Sequence, residues 1–188
     1  SALPSQFVYH DLAHTTYVTT AAGILAQDAH LPPEAPELLT LAALFHDTGY
    51  TKSAVDHEKH SVDIASSYLH SIQYPEASIQ EVLSAIEATK MPQVPAGKLG
   101  ALLQDADLSN LAEPDWFKHA SRLRQEWAAV ENKVFTDEEW DKRNMDMLKQ
   151  TKFHTLQGKA RYMEQTEHNR KTLKDQIKLK EKSEPESL

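Results

Sequence analysis

Hydrophobic residues recur three and four positions apart along most of the chain, and strict alternation of hydrophobic and polar residues is rare. This spacing places apolar side chains on one face of an α-helix. Five glycines and nine prolines separate the periodic stretches. We therefore expect an all-α fold. The expected helices, each end allowing about 2 to 4 residues, span residues 9–29, 35–46, 57–71, 76–89, 96–110, 114–130, 136–150 and 153–180.

The ends of these stretches suggest one helical core followed by a C-terminal helix. Three prolines within residues 30–36 and two within 91–97 prevent a helix from continuing there. Residues 171–188 are rich in Lys and Glu and poor in apolar residues, which is typical of a solvated segment. We expect a core over residues 1–150 and a C-terminal helix within 151–188 that packs on it and frays from about residue 180.

Composition limits the chemistry that the chain can perform. Its 188 residues, 40% of them hydrophobic, suffice for one substantial core. There is no cysteine, so any metal must be held by His and carboxylate. The net charge of -8 argues against binding a nucleic-acid backbone, although a small anion remains compatible if a metal supplies positive charge. No apolar stretch approaches the ~20 residues of a membrane span, so we expect a cytoplasmic protein without membrane contact.

Two histidines near the start of the first expected helix lie four positions apart. His10 and His14 would share one helix face and present two imidazoles to one site. Val18, Ala22 and Leu25 continue the side on which His14 lies, which places His14 at the edge of a buried stripe. The alternative is that one of the pair is a core-edge or solvent-facing histidine without a role.

A second pair of polar residues closes the apolar run of residues 38–45. His46 and Asp47 follow this run directly, and burying them at the end of so apolar a helix is costly unless they are paired or bound to a metal. The alternative is a histidine at a helix C-terminus beside a surface aspartate.

Two carboxylates interrupt the apolar stripe of the fifth expected helix. Asp105 and Asp107 point about 200° apart on a helix, so at most one of them faces a given site. The other is expected to be a solvent-facing or capping residue.

The order of these residues, a His, a His-Asp pair and a later Asp on separate helices, resembles the HD superfamily of metal-dependent phosphohydrolases. The match is sharpest at three segments: HTTYV at residues 14–18, LAALFHDTGY at residues 41–50 and LLQDADLSNLA at residues 102–112. The resemblance implies an HD-domain helical bundle. It also implies that His14, His46, Asp47 and Asp107 are metal ligands.

Two segments, YHDLAHT and ADLSNL, are also similar to cyclic-nucleotide phosphodiesterases of the same superfamily. That similarity implies that His10 donates a proton to the leaving oxygen. Asp11 and Leu111 depart from the phosphodiesterase pattern, and the segment that grips the nucleotide there is not recognisable in this chain. The similarity therefore gives little support to cyclic nucleotides as substrates.

The whole chain resembles a bacterial group of HD proteins of about this size through the segments HEKHS, ATKMP and residues 154–161. Other HD proteins place a histidine near a second metal or the substrate phosphate, which implies such a role for His57, ranked above His60. The alternative is that His57 is a histidine at a helix N-terminus without a role. Lys90 and Arg161 are candidate phosphate contacts. The alternative for both is a solvated basic side chain on the surface.

The resemblance predicts a metal-dependent phosphohydrolase, either a phosphomonoesterase or a phosphodiesterase, that acts on a nucleotide or related small phosphoester. One or two divalent ions are expected, and Mn, Fe, Zn, Ni and Mg stay open. One alternative is a metal- or nucleotide-binding HD module without turnover, and another is a diiron oxygenase of the HD type. A homodimer is compatible with the sequence.

Overall fold

The computed structural model describes residues 3–94 and 96–183, and over these residues the chain is helical and contains no strand. The all-α expectation is confirmed. The α-helices are α1 (Leu12–Asp28), α2 (Ala35–Phe45), α3 (His57–Ser71), α4 (Glu76–Glu87), α5 (Gly97–Asp107), α6 (Trp116–Val130), α7 (Asp137–Gln150) and α8 (Leu156–Ser183). Two 3-10 helices, Thr48–Thr51 and Leu108–Ala112, directly follow the segments that carry the expected aspartate ligands.

The larger hydrophobic core joins α1 to α5. Leu25, Leu39, Leu69, Ile86 and Leu103 come from these five helices in turn and are fully buried. Burial of each such side chain contributes about 1.5–3 kcal/mol. This core holds the N-terminal end of α1 and the C-terminal ends of α2 and α5 in fixed relation.

A smaller apolar cluster joins α6, α7 and α8. Trp116, Trp140, Leu148 and Leu173 are buried in it, and α8 packs on α7 and on the second 3-10 helix. Helix α8 continues to Ser183, beyond the point where fraying is expected. The final residues of the predicted tail, 184–188, lie outside the described residues.

The first helix begins later than the hydrophobic pattern predicts. Asp11 has extended backbone angles, and its side chain accepts a hydrogen bond from the backbone N–H of His14 at 3.0 Å. An N-cap of this kind ends the helix on its N-terminal side, so α1 starts at Leu12. His10 therefore precedes the helix, and the expectation that His10 and His14 share one helix face is wrong.

Asp105 determines where α8 begins. Its carboxylate is fully buried and accepts hydrogen bonds from the backbone N–H groups of His154 at 2.6 Å and Thr155 at 2.9 Å. These contacts hold residues 153–155 outside the helix, so α8 starts at Leu156 rather than at Phe153. A Cβ on Gly158 would lie 2.1 Å from Oδ2 of Asp105, so glycine is needed at this close approach.

In the part of the chain that the structure describes, no helix combines the length and the apolar character needed to cross a membrane.

Candidate metal centre

Three helix ends bring four polar side chains to one point. His14 lies in the first turn of α1, His46 directly follows α2, and Asp107 is the last residue of α5. One ligand atom from each of these three residues lies within 4.8 Å of the others. This is the spacing expected of side chains that share one metal ion.

Asp47 completes the group from the turn between α2 and the first 3-10 helix. Its Oδ2 lies 3.2 Å from Nε2 of His46 and 3.4 Å from Nε2 of His14. Oδ1 of Asp107 lies 3.4 Å from Nε2 of His14 and 3.6 Å from Nε2 of His46. Two imidazole nitrogens and two carboxylate oxygens thus face one another, and the sequence predicted all four residues for this site.

The ring orientation of His46 leaves one nitrogen for the centre. Its Nδ1–H donates to the backbone carbonyl of Ala43 at 2.8 Å, so Nε2 is the atom that faces the two aspartates. Metal-bound histidines commonly donate their other ring N–H in this way. Nε2 of His46 and Oδ2 of Asp47 are buried and have no hydrogen-bond partner in the described residues. Such buried polar atoms without partners are what a metal ion would satisfy.

The charges of the group stabilise one another strongly. Burial alone would lower the pKa of His14, but Asp107 and Asp47 raise this pKa to about 9. Burial likewise opposes a charged His46, yet Asp47 and Asp107 raise its pKa well above the ordinary value. Burial would raise the pKa of Asp47 and of Asp107, but the two histidines hold both pKa values below the ordinary range. The pocket therefore favours positive charge next to its carboxylates, as a cation site requires.

The donor set fits a divalent ion with open coordination positions. Mixed nitrogen and oxygen ligands suit Mn, Fe, Zn or Ni, whereas Mg prefers oxygen ligands and retained water. Four protein ligands would leave Mn, Fe or Ni with positions for a substrate oxygen.

His57 lies on the other side of Asp47. Its Nε2 is 3.7 Å from Oδ1 of Asp47 and 3.6 Å from Oε1 of Glu58, which is buried. Asp47 thus directs one oxygen to His14 and His46 and the other to His57. This arrangement is compatible with one ion or with two ions that share Asp47, and it brings the predicted His57 into the site.

A buried carboxylate on α6 holds His10. Glu126 is 2% exposed, and its side chain accepts hydrogen bonds from the backbone N–H of Tyr9 at 2.7 Å, the backbone N–H of His10 at 3.0 Å and Nδ1–H of His10. Burial would raise the pKa of Glu126, but the hydrogen bond to His10 lowers it below the ordinary value. With Nδ1 engaged, Nε2 is the His10 atom available to a ligand.

Tyr50 sets the spacing between the two additional histidines. Its ring stacks on His10 with centroids 4.2 Å apart and on His57 with centroids 4.0 Å apart. Its hydroxyl lies 3.3 Å from Nε2 of His10. Burial and the nearby carboxylates raise the pKa of Tyr50, so the hydroxyl keeps its proton. The stack fixes both imidazoles without using their Nε2 atoms in strong bonds.

A cavity of about 420 Å³ opens from the centre and is lined by Asp47, Asp107, His10 and His57. Its other walls come from α6, α7, the second 3-10 helix and the segment that follows α4. The volume lies within the range of about 300–1,000 Å³ that is typical of sites for small molecules. The candidate metal centre therefore borders a pocket of substrate size through Asp47 and Asp107.

The family model for the HD domain matches residues 11–175. The chain belongs to the HD domain family. Most members of this family are metal-dependent hydrolases. Comparison with curated proteins and with solved structures found no match. The match spans α1 to α7 and most of α8, so this HD domain includes both hydrophobic clusters.

Lys90 lies near the HD centre but is not part of the cavity wall. Its Nζ is 3.0 Å from Oδ1 of Asp56, the residue before His57, and both side chains are largely exposed. The hydrogen bond and charge of Asp56 raise the pKa of Lys90. The contact of Lys90 with a phosphate stays a prediction, since the bond to Asp56 uses only one of the three N–H donors of its ammonium group.

Arg161 is not brought to the centre. It pairs with Asp28, where its Nη2 lies 3.0 Å from Oδ1, at the C-terminal end of α1. His14 lies at the opposite end of that helix, about 20 Å away at 1.5 Å per residue. The contact of Arg161 with the substrate phosphate stays a prediction, and in this structure the ion pair with Asp28 holds its guanidinium at the far end of α1.

The sequence analysis missed Glu126 and the N-cap role of Asp11. Glu126 falls in the buried stripe of α6 with Trp116, Ala120 and Leu123, so a carboxylate at an apolar position was the available signal. The Asp11 carboxylate bonds to Nη2 of Arg122 at 2.7 Å in addition to capping α1. Both residues fix the entry into α1, and through it the positions of His10 and His14.

Proposed function

We propose that this HD protein is a metal-dependent phosphohydrolase that acts on a nucleotide or a related small phosphoester. The observation that carries the proposal is the cluster of His14, His46, Asp47 and Asp107, with two buried atoms that lack partners, bordering a cavity of about 420 Å³. Membership of a family of mostly metal-dependent hydrolases supports it.

His14, His46, Asp47 and Asp107 would hold one divalent ion, and Asp47 with His57 would offer ligand atoms for a second. Mn, Fe, Zn, Ni and Mg are the ions to test. Such an ion supplies Lewis acidity toward a phosphoryl oxygen. The chain's own contribution is to hold the anionic ligands at fixed spacing and to place the substrate's phosphorus next to them.

His10 acts as the general acid in this proposal. Glu126 and the ring of Tyr50 fix its imidazole, and Nε2 faces the cavity that also contains Asp47 and Asp107. As a water molecule attacks phosphorus and releases one proton to solvent, the bond from phosphorus to the ester oxygen breaks, and the proton on Nε2 of His10 is transferred to that departing oxygen. The Tyr50 hydroxyl near Nε2 helps to hold the ring in this orientation.

His57 is placed to contact a phosphoryl oxygen or a second ion. Its Nδ1 bonds the backbone carbonyl of Ala54 at 3.3 Å, which directs Nε2 toward Asp47. The ring centroids of His10 and His57 lie 6.3 Å apart, so the two imidazoles border the phosphoryl site at different positions.

The test is hydrolysis of a panel of nucleotides, cyclic nucleotides and bis(p-nitrophenyl) phosphate by protein loaded with each metal. We expect turnover by the wild type that falls to background in His46→Ala and Asp47→Ala and persists in His70→Ala, because His70 is exposed and bonds Glu76 instead. Equal turnover by the wild type and the two ligand variants contradicts the proposal. Nucleotide binding without product for any metal supports a module without turnover.

A further inference from the structure

A buried asparagine lines the cavity at a distance from the metal ligands. Asn144 on α7 is 7% exposed and lies between Trp140 and Leu148, which belong to the smaller apolar cluster. Within the described residues no hydrogen bond engages its side-chain amide, and the amide is open to the cavity rather than sealed in the core. An amide carries two donors and an acceptor with two lone pairs, so a complete set of hydrogen-bonding groups borders the cavity.

The amide of Asn144 adds nothing to the apolar packing of this face. A leucine at the same position of α7 would join the apolar cluster. The neighbouring Met145 and Leu148 are apolar, as expected for this buried face. The amide therefore has a role that packing does not provide, and its place in the cavity wall indicates contact with a ligand.

The walls around Asn144 are flat, apolar and aromatic. Trp116, Leu123 and Trp127 on α6 line the same cavity. The indole Nε1 of Trp116 is buried and lacks a hydrogen-bond partner in the described residues. These groups suit a flat ring that also forms hydrogen bonds at its edge.

Arg143 adds a cationic group beside this pocket. Its guanidinium lies 4.5 Å from the ring centroid of Trp127 and 5.6 Å from that of Phe135. In the described residues, no carboxylate forms an ion pair with it, and it lines both this cavity and the adjacent one. The guanidinium lies over the face of the Trp127 ring and leaves its own N–H donors for acceptors on a ligand.

We propose that Asn144, together with the walls formed by Trp116 and Trp127, is the subsite that selects the substrate by its nucleobase. The metal end of the cavity takes the phosphate, and the end between α6 and α7 takes the base. The amide of Asn144 pairs with a donor and an acceptor on the edge of the base. The assignment of the phosphate end rests on the proposed function, whereas the contact to the base does not require turnover.

Binding of nucleosides tests the subsite without any hydrolysis, because nucleosides carry no phosphoester. The probes are adenosine, guanosine, cytidine and uridine, with ribose as the ligand that lacks a base, titrated calorimetrically into the manganese-loaded full chain. We expect the wild type to bind at least one nucleoside about tenfold or more tightly than ribose, and Asn144→Leu to lose most of that difference. Met145→Leu, a buried change of similar volume outside the cavity, is expected to keep it.

Hydrolysis assays give a second readout, which separates failure of the base subsite from failure of the proposed function. In Asn144→Leu, we expect kcat/KM for the preferred nucleotide to fall about tenfold or more, while bis(p-nitrophenyl) phosphate is hydrolysed within about threefold of the wild-type rate. Nucleoside selectivity without any phosphoester turnover would overturn the proposed function and leave the base subsite intact. Equal binding of nucleosides and ribose by the wild type, or unchanged selectivity in a folded Asn144→Leu protein, overturns the subsite.

Discussion

Asp107 Oδ1 lies 3.4 Å from His14 Nε2, although the two residues come from α5 and α1. The contact joins the last residue of one helix to the first turn of another. The same oxygen lies 3.6 Å from Nε2 of His46, which follows α2. Three helix ends therefore depend on one group of charges, and a cation bound there contributes to stability as well as to chemistry.

The first prediction concerns stabilisation by metal. A ligand that binds only the folded state at 100 times its Kd stabilises it by about 2.7 kcal/mol. We expect Mn²⁺ to raise the melting temperature of the wild type and to have little effect on His46→Ala, measured by differential scanning calorimetry. His70→Ala is the matched control and should respond as the wild type does, since His70 contacts Glu76 on the surface. An equal shift in His46→Ala would place the bound metal elsewhere.

The second prediction separates the two aspartates of α5. Asp105→Ala leaves the backbone N–H groups of His154 and Thr155 without their acceptor, so we expect the free energy of unfolding to fall by about 2–4 kcal/mol in urea titrations. Asp107→Ala should instead lower Mn²⁺ affinity by about tenfold or more in calorimetric titrations. If Asp105→Ala weakened metal binding in a protein of wild-type stability, the two roles would be exchanged.

The third prediction compares two glycines. A Cβ on Gly49 would lie 1.9 Å from the backbone carbonyl oxygen of His57, whereas one on Gly23 would meet nothing within 4 Å. Gly49→Ala should therefore destabilise the protein by more than about 2 kcal/mol. Gly23→Ala, in the interior of α1, should stabilise it by about 0.5–1 kcal/mol. Thermal unfolding of both variants checks the pair, and a Gly49→Ala protein of wild-type stability contradicts the close packing of the first 3-10 helix on α3.

The fourth prediction is a pH dependence of stability. The folded-state pKa of Glu126 is lowered from its ordinary 4.5 by the hydrogen bond to His10, against the effect of burial. Its ionised form therefore contributes stability above pH 4.5, and this contribution is lost as pH falls through the folded-state pKa. Urea unfolding should show Glu126→Gln less stable than the wild type by about 1–3 kcal/mol at pH 7. A difference that does not shrink below pH 4.5 contradicts the ionised state.

The fifth prediction concerns proton transfer by His10. A nucleoside alkoxide is a poor leaving group and needs protonation, whereas p-nitrophenolate leaves without it. His10→Ala should lower kcat for the preferred nucleotide by about 10²–10⁴. The same variant should retain most of its activity on bis(p-nitrophenyl) phosphate. Equal losses on both substrates in steady-state assays would give His10 a role in binding or folding rather than as the acid.

The sequence predicts the helices from local patterns, and these patterns together with the family resemblance predict the four clustered residues. His46 and Asp47 follow an apolar stretch, and Asp107 interrupts another, so each was visible as a polar residue at the end of a buried helix. The choice of Asp107 over Asp105 came from the family resemblance. In the structure, the Asp105 carboxylate accepts hydrogen bonds from the backbone N–H groups of His154 and Thr155, just before α8.

The contacts that sequence alone did not reveal join residues far apart in the chain. Glu126 reaches His10 across more than 100 residues, and Arg161 is held by Asp28 at the far end of α1. Neither partner could be chosen from local spacing, because ion pairs depend on how helices pack. The later start of α1 has a local cause, since the bond from Asp11 to the N–H of His14 ends the helix.

The most direct measurement of the central claim is anomalous X-ray scattering from crystals of the manganese-loaded protein. We predict a strong anomalous peak bounded by Nε2 of His14, Nε2 of His46 and carboxylate oxygens of Asp47 and Asp107, at about 2.0–2.3 Å from each. A second, weaker peak between Asp47 and His57 would indicate two ions. Crystals that bind manganese elsewhere and show no peak among these four residues would contradict the metal centre.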